Sequence, residues 1–241
     1  MAADSELRER LLRLEDSIAA ACRAAGRERA EVALMAVSKT HPAAAMLAAQ
    51  ELGLALFGEN RVQEFAQKAT LLSTDRRTAI AVHLIGHLQS NKAARAVELF
   101  DGIDTLDSLP LALRLNSAAA HCGKRLPVLL EIKLSDEPTK TGLMPHTRAL
   151  DELLERLADL THLRVDGLMT IAPLDAGEDQ TRACFRALRR LRDEISKAHP
   201  ALNMHELSMG MSGDFALAIA EGSTRIRVGT ALFGARPKPQ P

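Results

Sequence analysis

Short apolar runs rich in β-branched residues recur along the chain and alternate with segments of helical periodicity. The runs predict eight strands: Ala33–Lys39, Leu54–Asn60, Val82–His87, Gly102–Asp107, Pro127–Lys133, Val165–Ile171, His205–Met211 and Thr224–Gly229. Strands that alternate with helices form parallel β-α-β units, and eight such units within 241 residues predict a closed (β/α)8 barrel of the TIM type. An open, doubly wound sheet is the alternative that this alternation leaves.

A further helix is predicted ahead of the first strand, over residues 4–26, with Gly26 as its stop. Its apolar positions recur at helical spacing: Leu7, Leu11, Leu14, Ile18 and Cys22. The predicted fold is therefore α/β, a single barrel domain over residues 1–235 with an extra N-terminal helix. The Pro-rich tail, residues 236–241, is predicted to be disordered.

Charge and apolar content restrict the partners. The formal net charge is zero, which gives no electrostatic reason to expect nucleic acid or an anionic membrane as a partner. No stretch approaches the roughly 18 apolar residues of a membrane span, and no apolar leader opens the chain. The three cysteines are isolated, which is typical of free thiols in a reducing compartment. We therefore expect a cytoplasmic protein with a small-molecule ligand.

The ends of the first three predicted strands carry polar side chains, and barrel chemistry sits at the C-terminal ends of strands. One interpretation of Lys39 is an ordinary solvated cation. The other is a functional lysine whose pKa is lowered at the barrel mouth, which gives the free amine that condenses with an aldehyde. Asn60 either faces the barrel mouth or, like Glu59, caps the next helix. His83 and His87 would lie roughly 13 Å apart on one strand, too far to share an ion, so no metal site is predicted.

The seventh and eighth strands predict a phosphate site. Ser212 follows the seventh strand at the predicted N-cap of a helix, where its hydroxyl and the following amides converge. Alternation along the eighth strand turns Arg225 and Arg227 inward. Gly229 and Thr230 then fall in the loop that binds phosphate in many barrels. The alternative is that Ser212 only caps a helix and Gly229 only turns a loop.

Motifs spread over nearly the whole barrel resemble one family, the pyridoxal phosphate homeostasis proteins, also called the YggS or PROSC family. These proteins are relatives of the N-terminal barrel of alanine racemase. The matching stretches are Ala36–Thr40, Phe57–Asn60, His83–Gly86, Leu88–Lys92, Gly167–Ile171, Leu207–Ser212 and Arg225–Gly234. The resemblance implies pyridoxal 5′-phosphate as the cofactor, with Lys39 forming its Schiff base.

The resemblance also implies the other cofactor-binding residues. Ser212, Gly229 and Thr230 would hold the phosphate, with contributions from Ser208 and the Gly213 amide. Asn60 would lie near the cofactor. Arg227 would face the pyridine nitrogen, to which a guanidinium can donate a hydrogen bond but not a proton. The complete predicted set is Lys39, Asn60, Ser208, Ser212, Gly213, Arg227, Gly229 and Thr230, with no catalytic residue assigned.

The resemblance leaves a racemase and a carrier as competing functions. A racemase needs two acid–base groups, and alanine racemase, which the chain resembles, pairs its lysine with a tyrosine that this sequence lacks entirely. His87 and Cys184 are the substitutes that the chain offers. The favoured interpretation is a carrier that sequesters, protects or delivers the cofactor to apo enzymes, as a monomer because the second racemase domain is missing. A Schiff-base enzyme acting on a phosphorylated metabolite leaves the resemblance unexplained.

Overall fold

A closed parallel barrel forms the centre of the protein. The structure, a computed structural model, describes residues 2–135, 137, 140–173 and 176–235. Its strands pair in sequence order and the last pairs with the first, which confirms the barrel and excludes the open sheet. The strands are β1 (Ala33–Val37), β2 (Leu56–Glu59), β3 (Ala81–Leu84), β4 (Gly102–Leu106), β5 (Leu126–Glu131), β6 (Leu163–Met169), β7 (Glu206–Ser208) and β8 (Arg225–Val228).

Helices surround the barrel and bury their apolar faces against it. They are α1 (Ala2–Ala24), α2 (Ala43–Glu51), α3 (Val62–Ala69), α4 (Thr74–Thr78), α5 (Ala93–Leu99), α6 (Leu109–His121), α7 (Arg148–Leu157), α8 (Glu178–Ala198), α9 (Phe215–Ala220) and α10 (Thr230–Phe233). The predicted N-terminal helix is α1, which packs against α9 and α10. The short helices α4 and α10 were not predicted, because each has too few residues to show a period.

Three further predictions concern the cysteines, membrane spans and the C-terminal tail. All three cysteines are free thiols, as predicted. Within the ranges given above, no helix is long and apolar enough to cross a membrane. The predicted disordered tail, residues 236–241, lies outside the described residues.

Several strands end earlier than predicted, which moves the candidate residues into loops. Lys39, Asn60 and Gly229 each lie just beyond the last residue of a strand. After β1 the chain turns sharply, because Thr40 has a φ of 67° and leaves the extended conformation. A β-branched residue rarely adopts this left-handed conformation.

Several charged side chains are buried inside the barrel. Arg225 and Arg227 both point inward and are buried, as the alternation along β8 predicted. Arg225 Nη1 lies 3.1 Å from Asp104 Oδ2, and its other terminal nitrogen pairs with Glu206. His83 Nδ1 lies 2.8 Å from Asp104 Oδ1. Burial raises the pKa of Asp104, but His83 and Arg225 outweigh it and bring that pKa below its usual value.

Candidate functional site

A cavity of about 250 Å³ opens at the C-terminal mouth of the barrel. Seven of the eight predicted site residues line it: Lys39, Asn60, Ser212, Gly213, Arg227, Gly229 and Thr230. Ser208 does not. Residues from opposite ends of the sequence meet here because β1 and β8 are paired, with Ala36 opposite Val228. The closure of the barrel therefore brings Lys39 next to the loop that begins at Gly229.

The lysine and the asparagine face each other across the end of β1 and β2. Lys39 Nζ donates a hydrogen bond to Asn60 Oδ1 at 3.4 Å. The alternative role for Asn60 or Glu59, capping the next helix, is wrong. Arg61 is the N-cap residue of α3, and no side chain caps that helix. Asn60 contacts the lysine amine instead.

Ser212 does not occupy the helix N-cap predicted for it. Helix α9 begins at Phe215 with Asp214 as its N-cap, because the Asp214 carboxylate accepts the Met211 N–H at 2.5 Å and closes a turn first. Ser212 Oγ instead accepts the Ala231 N–H of α10 at 3.3 Å. This hydrogen bond ties the loop after β7 to the loop after β8.

Hydroxyl groups and glycines make up the cavity wall formed by these two loops. Ser212 and Thr230 supply hydroxyls that can donate to an anion. A Cβ atom added at Gly213 would meet no heavy atom within 4 Å, so the backbone there borders open space. At Gly229 the same atom would lie 3.2 Å from the Val37 carbonyl oxygen. The wall is therefore lined by small groups that allow an anion to approach the backbone closely.

Arg227 closes the floor of the cavity. Its Nη1 donates to Ser208 Oγ at 2.9 Å and its Nη2 to the Thr170 carbonyl oxygen at 2.8 Å. The side chain is almost fully buried, and burial lowers the pKa of Arg227, while Asp104 and Asp214 act in the opposite direction. Two neutral acceptors thus fix the plane of this guanidinium.

Ser208 is placed differently from its prediction as a phosphate ligand. It is the last residue of β7 and is fully buried, below the loop that carries Ser212. Its Oγ accepts the Arg227 Nη1–H inside the barrel. Ser208 therefore contacts Arg227 and not the cavity.

Apolar walls of the cavity were missed by sequence reasoning. Val37, Ile85, Ile171 and Met211 line it beside the polar groups. Each of them lies at or just past the end of a barrel strand, which is the signal that identifies such positions. They make part of the cavity wall apolar.

The two side chains that the sequence offered as a second acid–base group both lie outside this cavity. Cys184 is buried in α8, and burial raises the pKa of its thiol to about 11. His87 Nδ1 lies 3.3 Å from Asp107 Oδ2. His87 lines a neighbouring cavity that shares Asn60, Ile85 and Ile171 with this one.

Comparisons with known proteins agree with this geometry. The family model described as alanine racemase, N-terminal domain, matches residues 13–237. A pyridoxal phosphate homeostasis protein of Pasteurella multocida is 39% identical over 231 residues, 95% of this chain and 97% of the relative. The protein of that name from Escherichia coli K12 is also 39% identical, covering 96% and 97% of the two chains.

A solved structure also matches closely. PipY of Synechococcus elongatus, determined with PLP bound, is 42% identical with a TM-score of 0.84, over 95% of this chain and all of PipY. Identity at this level over nearly the whole length, together with the shared barrel, leaves one assignment. The chain belongs to the family of pyridoxal phosphate homeostasis proteins.

Proposed function

We propose that this protein binds pyridoxal 5′-phosphate in the cavity at the barrel mouth and serves the homeostasis of that cofactor. The observation that carries the proposal is the meeting of the Lys39 amine, the Ser212 and Thr230 hydroxyls and the Arg227 guanidinium in one cavity. An amine, an anion-binding wall and a hydrogen-bond donor suit the aldehyde, the phosphate and the ring nitrogen of this cofactor. PipY, its relative, holds the same cofactor.

Lys39 is the proposed covalent anchor. Its neutral amine attacks the aldehyde carbon, a C=N bond replaces the C=O bond, and the oxygen leaves as water. Asn60, which accepts from Lys39 Nζ, orients the amine. Because this bond is hydrolysed by the reverse reaction, Lys39 acts as a reversible tether.

The remaining residues have non-covalent roles in the proposal. Ser212, Thr230 and the backbone at Gly213 and Gly229 hold the phosphate. Arg227 donates to the pyridine nitrogen without protonating it, so the ring is a poor electron sink. Ser208, which accepts from Arg227 Nη1, acts by orienting that guanidinium.

A carrier function is favoured over racemisation. Racemisation needs a second acid–base group on the far face of the cofactor. Neither His87 nor Cys184 lines the cavity, and a thiol with a pKa of about 11 is a poor base at neutral pH. We further propose that the protein acts as a cytoplasmic monomer that delivers the cofactor to apo enzymes.

Borohydride trapping tests the anchor. Reduction of the protein loaded with pyridoxal 5′-phosphate should attach the cofactor irreversibly to the peptide that contains Lys39, as identified by mass spectrometry. Lys39→Ala should abolish this attachment. The matched control is Lys124→Ala, because Lys124 donates to the Val97 carbonyl oxygen at 2.8 Å and does not line the cavity. Attachment that persists in Lys39→Ala contradicts the assignment.

Deuterium exchange tests the choice between carrier and racemase. The loaded protein is incubated with single enantiomers of amino acids in deuterated water, and α-proton exchange is followed by NMR. A carrier should give no exchange beyond the amount of protein present. Exchange over many turnovers would contradict the carrier function, and inversion of the enantiomer alongside it would require a second acid–base group at the cavity.

A further inference from the structure

Helix α3 carries a lysine on the face that packs against the barrel. Lys68 shares this face with Val62 and Phe65, and its side chain is 8% exposed. A lysine is almost never buried to this extent unless its ammonium group is paired. The burial of Lys68 on an apolar stripe therefore points to acceptors inside the fold.

Each of the three N–H groups of that ammonium meets an acceptor. Lys68 Nζ lies 2.9 Å from the Ser38 carbonyl oxygen, 2.8 Å from Glu59 Oε1 and 2.7 Å from Glu64 Oε1. Two further bonds complete the network. The Thr40 N–H donates to Glu64 Oε1 at 2.6 Å, and Ser38 Oγ donates to Glu59 Oε1 at 2.6 Å.

These contacts fall on both sides of Lys39. The Ser38 carbonyl oxygen belongs to the peptide bond that enters Lys39, and the Thr40 N–H belongs to the peptide bond that leaves it. Lys68 donates to the Ser38 carbonyl oxygen, and Glu64 accepts from the Thr40 N–H. Thr40 also has its φ at 67°. A strained conformation of this kind persists only where surrounding contacts over-determine it.

We propose that Lys68 and Glu64 are positioning residues that fix both peptide groups flanking Lys39 and so aim its amine into the cavity. The inference rests on the proposed function, in which Lys39 bonds the cofactor. It adds that α3, which does not line the cavity, determines how readily that bond forms. The non-covalent hold on the ring and phosphate is independent of this network.

Variants of Glu64 test the inference. Glu64 is chosen because removal of the buried Lys68 ammonium would leave two carboxylates without their counter-ion and disturb the fold itself. Glu64→Ala removes the acceptor of the Thr40 N–H, whereas Glu64→Gln keeps an amide oxygen there. The control is Glu152→Ala, which breaks an exposed helical pair with Arg148.

Two measurements separate positioning from general damage. The first is the rate at which added pyridoxal 5′-phosphate becomes trappable on Lys39 by borohydride. The second is the affinity for pyridoxine 5′-phosphate, which has the ring and the phosphate but no aldehyde. Glu64→Ala should slow trapping on the order of 10- to 100-fold, because a misplaced reacting group usually has an effect of this size. It should leave the affinity for pyridoxine 5′-phosphate unchanged. Glu64→Gln should recover most of the rate.

The outcomes are distinct. If Glu64→Ala is trapped at the wild-type rate, the inference is wrong. It is also wrong if the affinity for pyridoxine 5′-phosphate falls by the same factor as the trapping rate, because that result indicates a merely structural role. Glu152→Ala should match the wild type in both measurements. If the wild-type protein gives no product at Lys39, the proposed function fails instead.

Discussion

Replacement of Arg225 by methionine tests whether the charges in the barrel interior depend on each other. The Arg225 side chain is 9% exposed and its partner Asp104 only 1%. Methionine preserves most of the volume but removes the cation that pairs with both Asp104 and Glu206. Loss of one member of a buried ion pair costs about 3–5 kcal/mol, because the remaining charge stays buried and uncompensated. This is a large share of the roughly 5–15 kcal/mol that holds a domain folded.

Equilibrium unfolding in urea measures this loss as a lower midpoint with an unchanged slope. Arg148→Met is the control, because Arg148 pairs with Glu152 at the surface and is 91% exposed. That change should cost no more than about 1 kcal/mol. Adding Asp104→Asn to Arg225→Met should recover part of the stability, since the uncompensated charge is then gone. A loss in Arg225→Met no larger than in Arg148→Met, or no recovery in the double variant, would refute the reasoning.

Three further predictions concern other parts of the chain. Ser212→Ala should weaken pyridoxine 5′-phosphate binding on the order of tenfold and leave unphosphorylated pyridoxine unaffected, as measured by calorimetry; equal losses for both would exclude a phosphate contact. Burial raises the pKa of Glu131 in the folded protein. The contribution of Glu131 to stability is therefore complete at a pH below its pKa in the unfolded chain, about 4.3, and is lost as the pH rises through its pKa in the folded protein. Glu131→Gln should therefore gain stability over the wild type between pH 4 and pH 7 in urea unfolding, and a pH-independent difference would contradict this. Because burial raises the pKa of the Cys184 thiol to about 11, iodoacetamide should alkylate it far more slowly than the exposed Cys122, as followed by peptide mass spectrometry; similar rates would be unexpected.

The barrel was predictable because alternating strand and helix patterns leave few alternatives, and the inward direction of Arg225 and Arg227 followed from the two-residue period of a strand. The turn after β7 was not. Ser212 and Asp214 both suit an N-cap, and only the contact of Asp214 with the Met211 N–H decides which residue takes the position. The role of Ser208 was implied by the resemblance alone, and no local pattern in the sequence reveals its contact with Arg227.

The network behind Lys39 escaped sequence reasoning for a different reason. Glu64 and Lys68 are spaced as an ordinary exposed helical pair, and helices carry many of these. The usable signal is that Lys68 falls on the same face as Val62 and Phe65, where a charged residue breaks the apolar stripe. Its partner Glu59 comes from β2, and no local pattern in the sequence reveals that contact.

The seam between β1 and β8 has a consequence for synthesis of the protein. The proposed anchor, Lys39, is translated well before Arg227, Gly229 and Thr230. A nascent or truncated chain that ends before residue 225 therefore exposes the reactive amine without the cavity that gives it a ligand. Covalent capture of the cofactor would then report that the chain has been translated past β8 and that the barrel has closed.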